Sequence, residues 1–359
     1  MARNCIAAIS LSAIKHNYLH AKSLSPNSAA IAIIKANAYG HGAVKVAHYL
    51  QNCADYFGVA CIEEAMELRS SGLIKTPILL MEGIFEQSEL RLAVSNKLTI
   101  AVCNPLQLKW ILDGAFTEKI DVFIKHDSGM GRLGFQDDDF KLAIQSLEEC
   151  ANVDKITLMT HFSSADDLAS KSTLKQIINF ENAFDPDKYP LSLANSAAIM
   201  SNKSTHHDFI RPGIMLYGSS PFKDKTHLNK LLPAMTLSSS LISIKSFKAG
   251  QSIGYGELFT CKNDTVIGVV AIGYADGYPR SAQDGTPVFI NGAKGKLVGK
   301  VSMDMITIDL SNILNPQIGD RVELFGNNIS VDEVAKNCNT ISYEIFTKIT
   351  NRVYKTYSQ

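Results

Sequence analysis

Residues 31–42 read Ile31-Ala32-Ile33-Ile34-Lys35-Ala36-Asn37-Ala38-Tyr39-Gly40-His41-Gly42, an unbroken apolar run that stops at a lysine and a polar, glycine-bearing segment. Beyond it, Gly42–Gln51 places Val46, Ala47 and Leu50 on one face at helical spacing. A strand, a polar loop and a helix are therefore predicted in succession, and the same unit recurs along the first two thirds of the chain. Further apolar runs fall at Tyr56–Cys61, Pro77–Met81, Leu98–Val102, Asp121–Lys125, Ile156–Thr160, Leu191–Ala194 and Phe209–Leu216, with helix-period segments at Glu63–Ser70, Pro105–Leu112 and Asp138–Ala151. Near-continuous apolar strands joined by helical crossovers are parallel strands buried on both faces. Eight of them predict an α/β fold, a closed (β/α)8 TIM barrel. An open doubly wound sheet is the alternative, because periodicity does not report closure.

After about residue 230 the texture changes. Met235–Phe247, Val266–Tyr274, Pro287–Ile290, Lys296–Val301, Ile306–Leu310 and Arg321–Phe325 are rich in Val, Ile and Thr, and turns such as Asn291-Gly292 and Gly326-Asn327 separate several of them. We therefore expect a barrel over residues 1–230 and a mostly antiparallel β domain over 231–359, with one or two helices near Val331–Asn337. Cys5–Ile14 reads as a strand, with the first ~10 residues a candidate strand of the second domain.

Composition narrows the class. Thirty-five basic and thirty-five acidic residues leave no net field to attract nucleic acid. Seven cysteines at 5, 53, 61, 103, 150, 261 and 338 form no CxxC pair, which suits a reducing cytoplasm better than a disulfide framework or a zinc site. No apolar run is long enough to span a bilayer, and the N-terminus lacks the pattern of a signal peptide. A cytoplasmic protein without membrane or nucleic-acid partners is expected.

Barrel enzymes build their sites just after the strands, and polar clusters fall there. Lys35–Gly42 follows the first barrel strand, Lys125–Gly134 the fifth and His161–Asp166 the sixth; Asn195-Ser196 end the seventh, and Arg211-Pro212-Gly213 lie in the eighth. A partly desolvated lysine is shifted toward the neutral amine that attacks an aldehyde. Ser196 and the Gly213 backbone stand where this fold often holds a phosphate. A lysine facing a phosphate pocket is what a pyridoxal-phosphate site requires.

Two patterns point elsewhere and are set aside. Gly129-Met130-Gly131-Arg132-Leu133-Gly134 has dinucleotide-loop spacing, with Asp154 about 20 residues on. However, the preceding strand end is polar, Asp137, Asp138 and Asp139 open the next helix and would repel a pyrophosphate, and Asp154 precedes its strand. His16 and His20 are spaced i, i+4 without an adjoining glutamate or third ligand, so no metal is expected.

Taken in order, Lys35–Gly42, Gly129–Gly134, His161-Phe162, Ala194-Asn195-Ser196, Arg211-Pro212-Gly213, Tyr255-Gly256, Gly273-Tyr274-Ala275-Asp276-Gly277 and Ser302-Met303-Asp304 resemble the motifs of the alanine racemase family over nearly the whole chain. The resemblance implies that Lys35 carries pyridoxal 5'-phosphate and serves as one of two catalytic bases. Tyr255 would be the other, reaching in from the second subunit of a homodimer with composite sites. Tyr39, Ser196, Gly213, Ile214 and Tyr343 would line the phosphate, with Asn195 beside them. Arg211 would meet the pyridine nitrogen, with His161 behind it. Arg132 would bind the phenolic oxygen and help place substrate, and Met303 would bound the substrate pocket. Lys125 matches a position carbamylated in some members, where it orients that arginine. Asp166, Tyr274, Arg280 and Asp304 would line or support the access corridor, while Lys300 stands where several relatives carry arginine, which changes the donor geometry.

The implied reaction interconverts L- and D-alanine, the latter a cell-wall component in bacteria. Removing the α-proton from one face and returning one to the other calls for two bases on opposite faces. A broader racemase acting on serine is the alternative, since one hydroxyl changes affinity little; another barrel-fold pyridoxal-phosphate enzyme is a lesser one. A non-catalytic cofactor-binding barrel would lack the second domain and hence Tyr255.

Overall fold

The structure, a computed structural model, describes residues 3–72, 74–185, 188–222 and 230–359. The chain opens with β1 (Ile6–Ser10) and α1 (Leu11–Leu24). Cys5–Ile14 is thus not one strand: the Ser10 hydroxyl accepts the Ala13 N–H at 3.1 Å and starts a helix there. There follow β2 (Ala29–Ile33), α2 (Lys35–Tyr39), α3 (Ala43–Leu50), β3 (Tyr56–Val59), α4 (Ile62–Ser70), β4 (Ile78–Leu80), α5 (Glu89–Ser95), β5 (Leu98–Val102), α6 (Pro105–Leu112), β6 (Ile120–Lys125), α7 (Asp137–Glu148), β7 (Val153–Met159), α8 (Ser172–Glu181), β8 (Leu191–Asn195), α9 (Ser196–Ser201) and β9 (Phe209–Arg211).

Strands β2 to β9 pair in parallel in sequence order, and Ala29↔Phe209 and Ala30↔Ile210 join β9 back to β2, so the sheet is a closed barrel rather than an open one. Burial on both faces explains the unbroken apolar runs: every residue of β5 is buried. Helix starts follow local chemistry. Asn104 accepts the N–H groups of Leu106 and Gln107, and Pro105 occupies the first turn of α6. The run Phe209–Leu216 is not one strand either. It breaks at Pro212-Gly213, and Ile214–Tyr217 form a 3-10 turn.

The described residues form two compact units, one of Lys15–Leu216 with Ser220–Phe222, Lys230 and Leu231, and a second of the segment up to Ile14, Tyr217–Ser219 and Leu232–Gln359. The second contains β10 (Met235–Phe247), β11 (Ser252–Ile253), β12 (Phe259–Thr260), β13 (Thr265–Val270), β14 (Pro287–Ile290), β15 (Ala293–Leu297), β16 (Ile306–Asp309), β17 (Arg321–Phe325), α10 (Val331–Asn337), α11 (Ser342–Thr347) and β18 (Tyr354–Ser358). Its main sheet runs β13-β16-β15-β14-β17-β10-β1-β18, with β13 also pairing β10, and every pairing except β1–β18 is antiparallel. The first strand therefore belongs to this sheet, with Ile6 opposite Ser238. Asn291 (φ 48°) and Gly292 (φ 79°) make the β14–β15 turn, as that dipeptide predicts.

Candidate active site

Lys35 stands two residues beyond the end of β2, at the start of an unusual turn: Ala36, Asn37, Ala38 and Tyr39 have φ of 51°, 53°, 54° and 50°. Left-handed conformation costs L-residues roughly 1–2 kcal/mol each, and the neighbours hold it in place. The Glu64 carboxylate accepts the N–H of Ala36 at 2.7 Å and of Ala60 at 2.8 Å. Asn37 accepts Ala43 N–H on its side chain at 2.8 Å and Gly42 N–H on its carbonyl at 2.9 Å. Strain of this kind collects at functional sites. Lys35 Nζ lies 3.6 Å from Glu82 Oε1, with 38% of the lysine side chain exposed. Tyr39 is buried, and burial pushes its hydroxyl up to about 12, so it remains a donor at neutral pH.

Across the rim, the Ser196 hydroxyl accepts the Gly213 N–H at 2.8 Å and the Met215 N–H at 3.5 Å. Asn195 caps α9 by accepting the Ala198 N–H at 3.1 Å. A Cβ on Gly213 would lie 3.1 Å from the Tyr39 hydroxyl and 3.7 Å from that of Ser196, so glycine keeps a small concavity open among neutral donors. Ile214, next in the chain, is fully buried.

Arg211 ends β9 and is buried. Its Nη1 donates to the Ser192 carbonyl (2.7 Å) and hydroxyl (2.6 Å), and its Nη2 to the carbonyls of Thr160 (2.6 Å) and Leu193 (3.0 Å). No acceptor for its Nε is found among the described residues. Burial pushes the guanidinium down to about 10, which leaves it cationic at neutral pH. His161 is held neutral: burial first, then the charges of Arg211, Lys125, Arg132 and Lys35, push it down to about 3. Its signals in a proton NMR titration should therefore stay fixed between about pH 5 and pH 9; a midpoint near 6.5 would contradict this environment. Because the folded value lies below the unfolded one, its contribution to stability is full above about pH 6.5 and declines as pH falls toward 3. Lys125, at the end of β6, is also buried; burial pushes its ammonium down, Cys103 opposes this, and Arg211, Arg132 and Lys35 add to it.

Arg132 lies exposed on the loop after β6. Four N–H groups of that loop, from Gly129, Met130, Gly131 and Arg132, point at the Asp127 carboxylate. The glycine spacing thus serves an internal anion. Asp166, after β7, is exposed. Each of the spaced histidines has its own partner: His16 the Lys230 carbonyl at 2.9 Å and His20 the Ser23 hydroxyl at 3.4 Å.

The remaining candidates lie in the second unit. Tyr255 tops the β11–β12 hairpin, whose register pairs Ile253 with Phe259. Gly254 (φ 74°) and Gly256 (φ 71°) turn the chain on either side, and Ile253, Cys261, Ile267 and Val298 form a buried cluster beneath. The tyrosine itself is 69% exposed. Gly273 lets the next loop dock backbone to backbone: a Cβ there would stand 2.3 Å from the Ser302 carbonyl. Tyr274 N–H donates to that carbonyl and Ala275 N–H to that of Met303, both at 3.0 Å. Met303 is 53% exposed, as are, to lesser or greater degree, Tyr274, Arg280 and Lys300. Asp304 accepts from Arg352 at 2.6 Å, and the buried Asp276 from Arg3 at 2.7 and 2.5 Å. Tyr343 is half-buried on α11.

Sequence reasoning missed the supporting carboxylates. Glu82 follows β4 at the same rim as Lys35, a position that strand spacing could have flagged. Glu64 lies within a helix pattern and carries no such signal.

Residues 9–221 match the family model for the alanine racemase N-terminal domain, and residues 234–357 that for the C-terminal domain. An alanine racemase of Pseudomonas fluorescens is 45% identical over 344 residues, 96% of each chain. A catabolic alanine racemase of Pseudomonas aeruginosa is 44% identical over 353 residues, 98% of each chain. The crystal structure of the biosynthetic alanine racemase from Pseudomonas aeruginosa has a TM-score of 0.96 at 43% identity, covering 99% of this chain and 100% of that one. With both domains matched in order, and the barrel-rim residues inside the first match, this chain belongs to the alanine racemase family.

Proposed function

We infer that this chain interconverts L- and D-alanine with pyridoxal 5'-phosphate held at the barrel rim, Lys35 and Tyr255 being the two bases. The observation that carries the reading is the convergence of Lys35, Tyr39, Ser196, Gly213 and Arg211 on one rim, inside a family match spanning both domains. The residues suit the cofactor. Gly213 keeps a concavity among hydroxyl and N–H donors that matches a phosphate, and the buried Arg211 retains an Nε donor with no protein acceptor among the described residues. Matches to alanine racemases in both domains favour alanine over the broader and the other-enzyme alternatives.

When bound, the cofactor supplies an electron sink that acidifies the substrate α-hydrogen. The protein does the rest. Lys35 Nζ anchors the cofactor and takes or returns a proton on one face, while the Tyr255 hydroxyl, supplied by a second copy of the chain, does so on the other. Tyr39, Ser196, the Gly213 N–H, Ile214 and Tyr343 hold the phosphate, with Asn195 fixing the start of α9. Arg132 places the substrate carboxylate, Met303 bounds the pocket, and Asp166, Tyr274, Arg280, Asp304 and Lys300 belong to the approach. Lys125 has the chemistry of a carbamylation site: burial and neighbouring cations push its ammonium down, and once deprotonated Nζ would bond to carbon dioxide with loss of a further proton. The anion so formed would offset the charges of Arg132, Arg211 and Lys35.

Arg211, cationic and fixed by its four bonds, would face the pyridine nitrogen, disfavour its protonation and so limit the negative charge the ring could take up. Arg211→Glu should therefore raise transamination, measured as pyruvate per racemisation event, by about tenfold or more. An unchanged ratio would remove this role.

The activity is tested by incubating the purified chain, with cofactor, with L-alanine in deuterated water and separating the enantiomers by mass-resolved chromatography. D-alanine carrying α-deuterium is the expected product. Exchange without D-alanine, or no exchange at all, would overturn the reading.

A further inference from the structure

The loop that carries Arg132 is closed at its base without help from any side chain. Asp127 N–H donates to the Phe135 carbonyl at 2.9 Å and Phe135 N–H to the Lys125 carbonyl at 2.8 Å, forming a bridge across His126 and Phe135. A Cβ on Gly134 would stand 2.6 Å from Asp127 N, so the two ends touch backbone to backbone. Ser128 is fixed separately: its hydroxyl lies 2.7 Å from that of Thr160, and Asn179 donates to its carbonyl at 3.1 Å.

Beyond that base one side chain supplies the loop's hydrogen bonds. Asp127 Oδ1 accepts the N–H groups of Gly129 (3.2 Å), Met130 (2.8 Å) and Gly131 (2.9 Å), and Oδ2 accepts that of Arg132 (3.1 Å). Successive N–H groups converge on one carboxylate because Gly129 and Gly131 adopt φ of 138° and 70°. Among the described residues, no other hydrogen bond reaches residues 129–133, and the Arg132 side chain has no protein partner. Arg132 is thus directed by its backbone, and the hydrogen bonds that hold this backbone come from Asp127. Burial pushes the Asp127 carboxyl up, but the four N–H donors outweigh it and hold the group below the usual carboxylate range, so it is ionised at neutral pH.

We infer that Asp127 is the positioning residue for Arg132: its carboxylate orders the 129–132 loop and thereby fixes the guanidinium over the barrel rim. The inference rests on the racemase reading for what Arg132 does there, and on the loop geometry alone for how Arg132 is held. It also ranks the replacements. An asparagine oxygen can retain the three bonds made by Oδ1, but its amide group would confront the Arg132 N–H, so only the last link is lost. An alanine loses all four.

The test uses the cofactor-loaded chain and two readouts. Amide hydrogen exchange by mass spectrometry should speed up over residues 129–132 by about tenfold or more in Asp127→Ala, and by less in Asp127→Asn, with β6 and α7 unchanged. KM for alanine should rise about tenfold in Asp127→Ala, more than kcat falls, with Asp127→Asn between it and wild type. In an Arg132→Ala background, Asp127→Ala should add no further loss, because it acts only through that arginine. Unchanged loop exchange in Asp127→Ala would overturn the inference whatever the activity. So would losses that multiply in the double variant. If the wild-type chain failed to racemise alanine, the functional reading would fall, while the exchange data would still decide whether Asp127 orders the loop.

Discussion

Replacing Lys35 with alanine is expected to abolish racemisation in both directions, a loss on the order of 10⁴-fold or more, because anchorage and one of two proton transfers vanish together. The structure makes this a clean measurement. Among the described residues, Lys35 Nζ has one polar partner, Glu82 at 3.6 Å, with 38% and 37% of the two side chains exposed. Exposed pairs are worth about 0–1 kcal/mol, so thermal unfolding should barely change. The left-handed turn that follows is held by the Glu64 carboxylate and by Asn37, not by the lysine. Chiral chromatography, a melting curve and the visible absorbance of bound cofactor would be recorded on one preparation. An unaltered fold without covalently held cofactor and without activity is the expected combination. Activity above about 1% of wild type would mean that another group does the chemistry.

The features legible in the sequence are those that repeat or that chemistry demands. All eight barrel runs carry strands close to their expected places, the last one shorter than its run, because burial on both faces leaves an unbroken apolar signature. Closure was not readable, since a strand looks the same at the edge of an open sheet as at the seam formed by Ala29 and Phe209. Boundaries failed where one residue redirects an apolar run. Ser10 ends a strand by capping a helix, and Pro212 ends another just before a 3-10 turn. The polar residues of the rim were legible from their places after strands, but their supports were not. Nothing about Ala36 or Ala38 announces a positive φ, because the turn is imposed by bonds from Glu64, remote in sequence. The glycine spacing of 129–134 was visible, but its use was not: it bends the loop around the carboxylate of Asp127, a residue outside the pattern.

Tyr255→Phe should cost roughly 10²–10⁴-fold in racemisation, the usual share of a positioned acid or base. The hydroxyl is all that is lost, from a ring 69% exposed at the tip of a hairpin built on its own buried cluster, so folding should not suffer. Lys35 remains, so α-hydrogen exchange with deuterated water should persist for one enantiomer without inversion. Loss of exchange for both would assign Tyr255 some other task. The variant also tests where the second base comes from. Consider unfolding and refolding an equal mixture of Lys35→Ala and Tyr255→Phe chains, each nearly inactive alone. If a site takes Lys35 from one copy and Tyr255 from its partner, each mixed dimer has one site with both defects and one with neither. Random assembly of twofold dimers then restores about a quarter of wild-type activity. If both residues come from the same copy, every site in the mixture keeps one defect and no activity returns. The same arithmetic separates a composite dimer from a monomer, because a monomer has no mixed species to form.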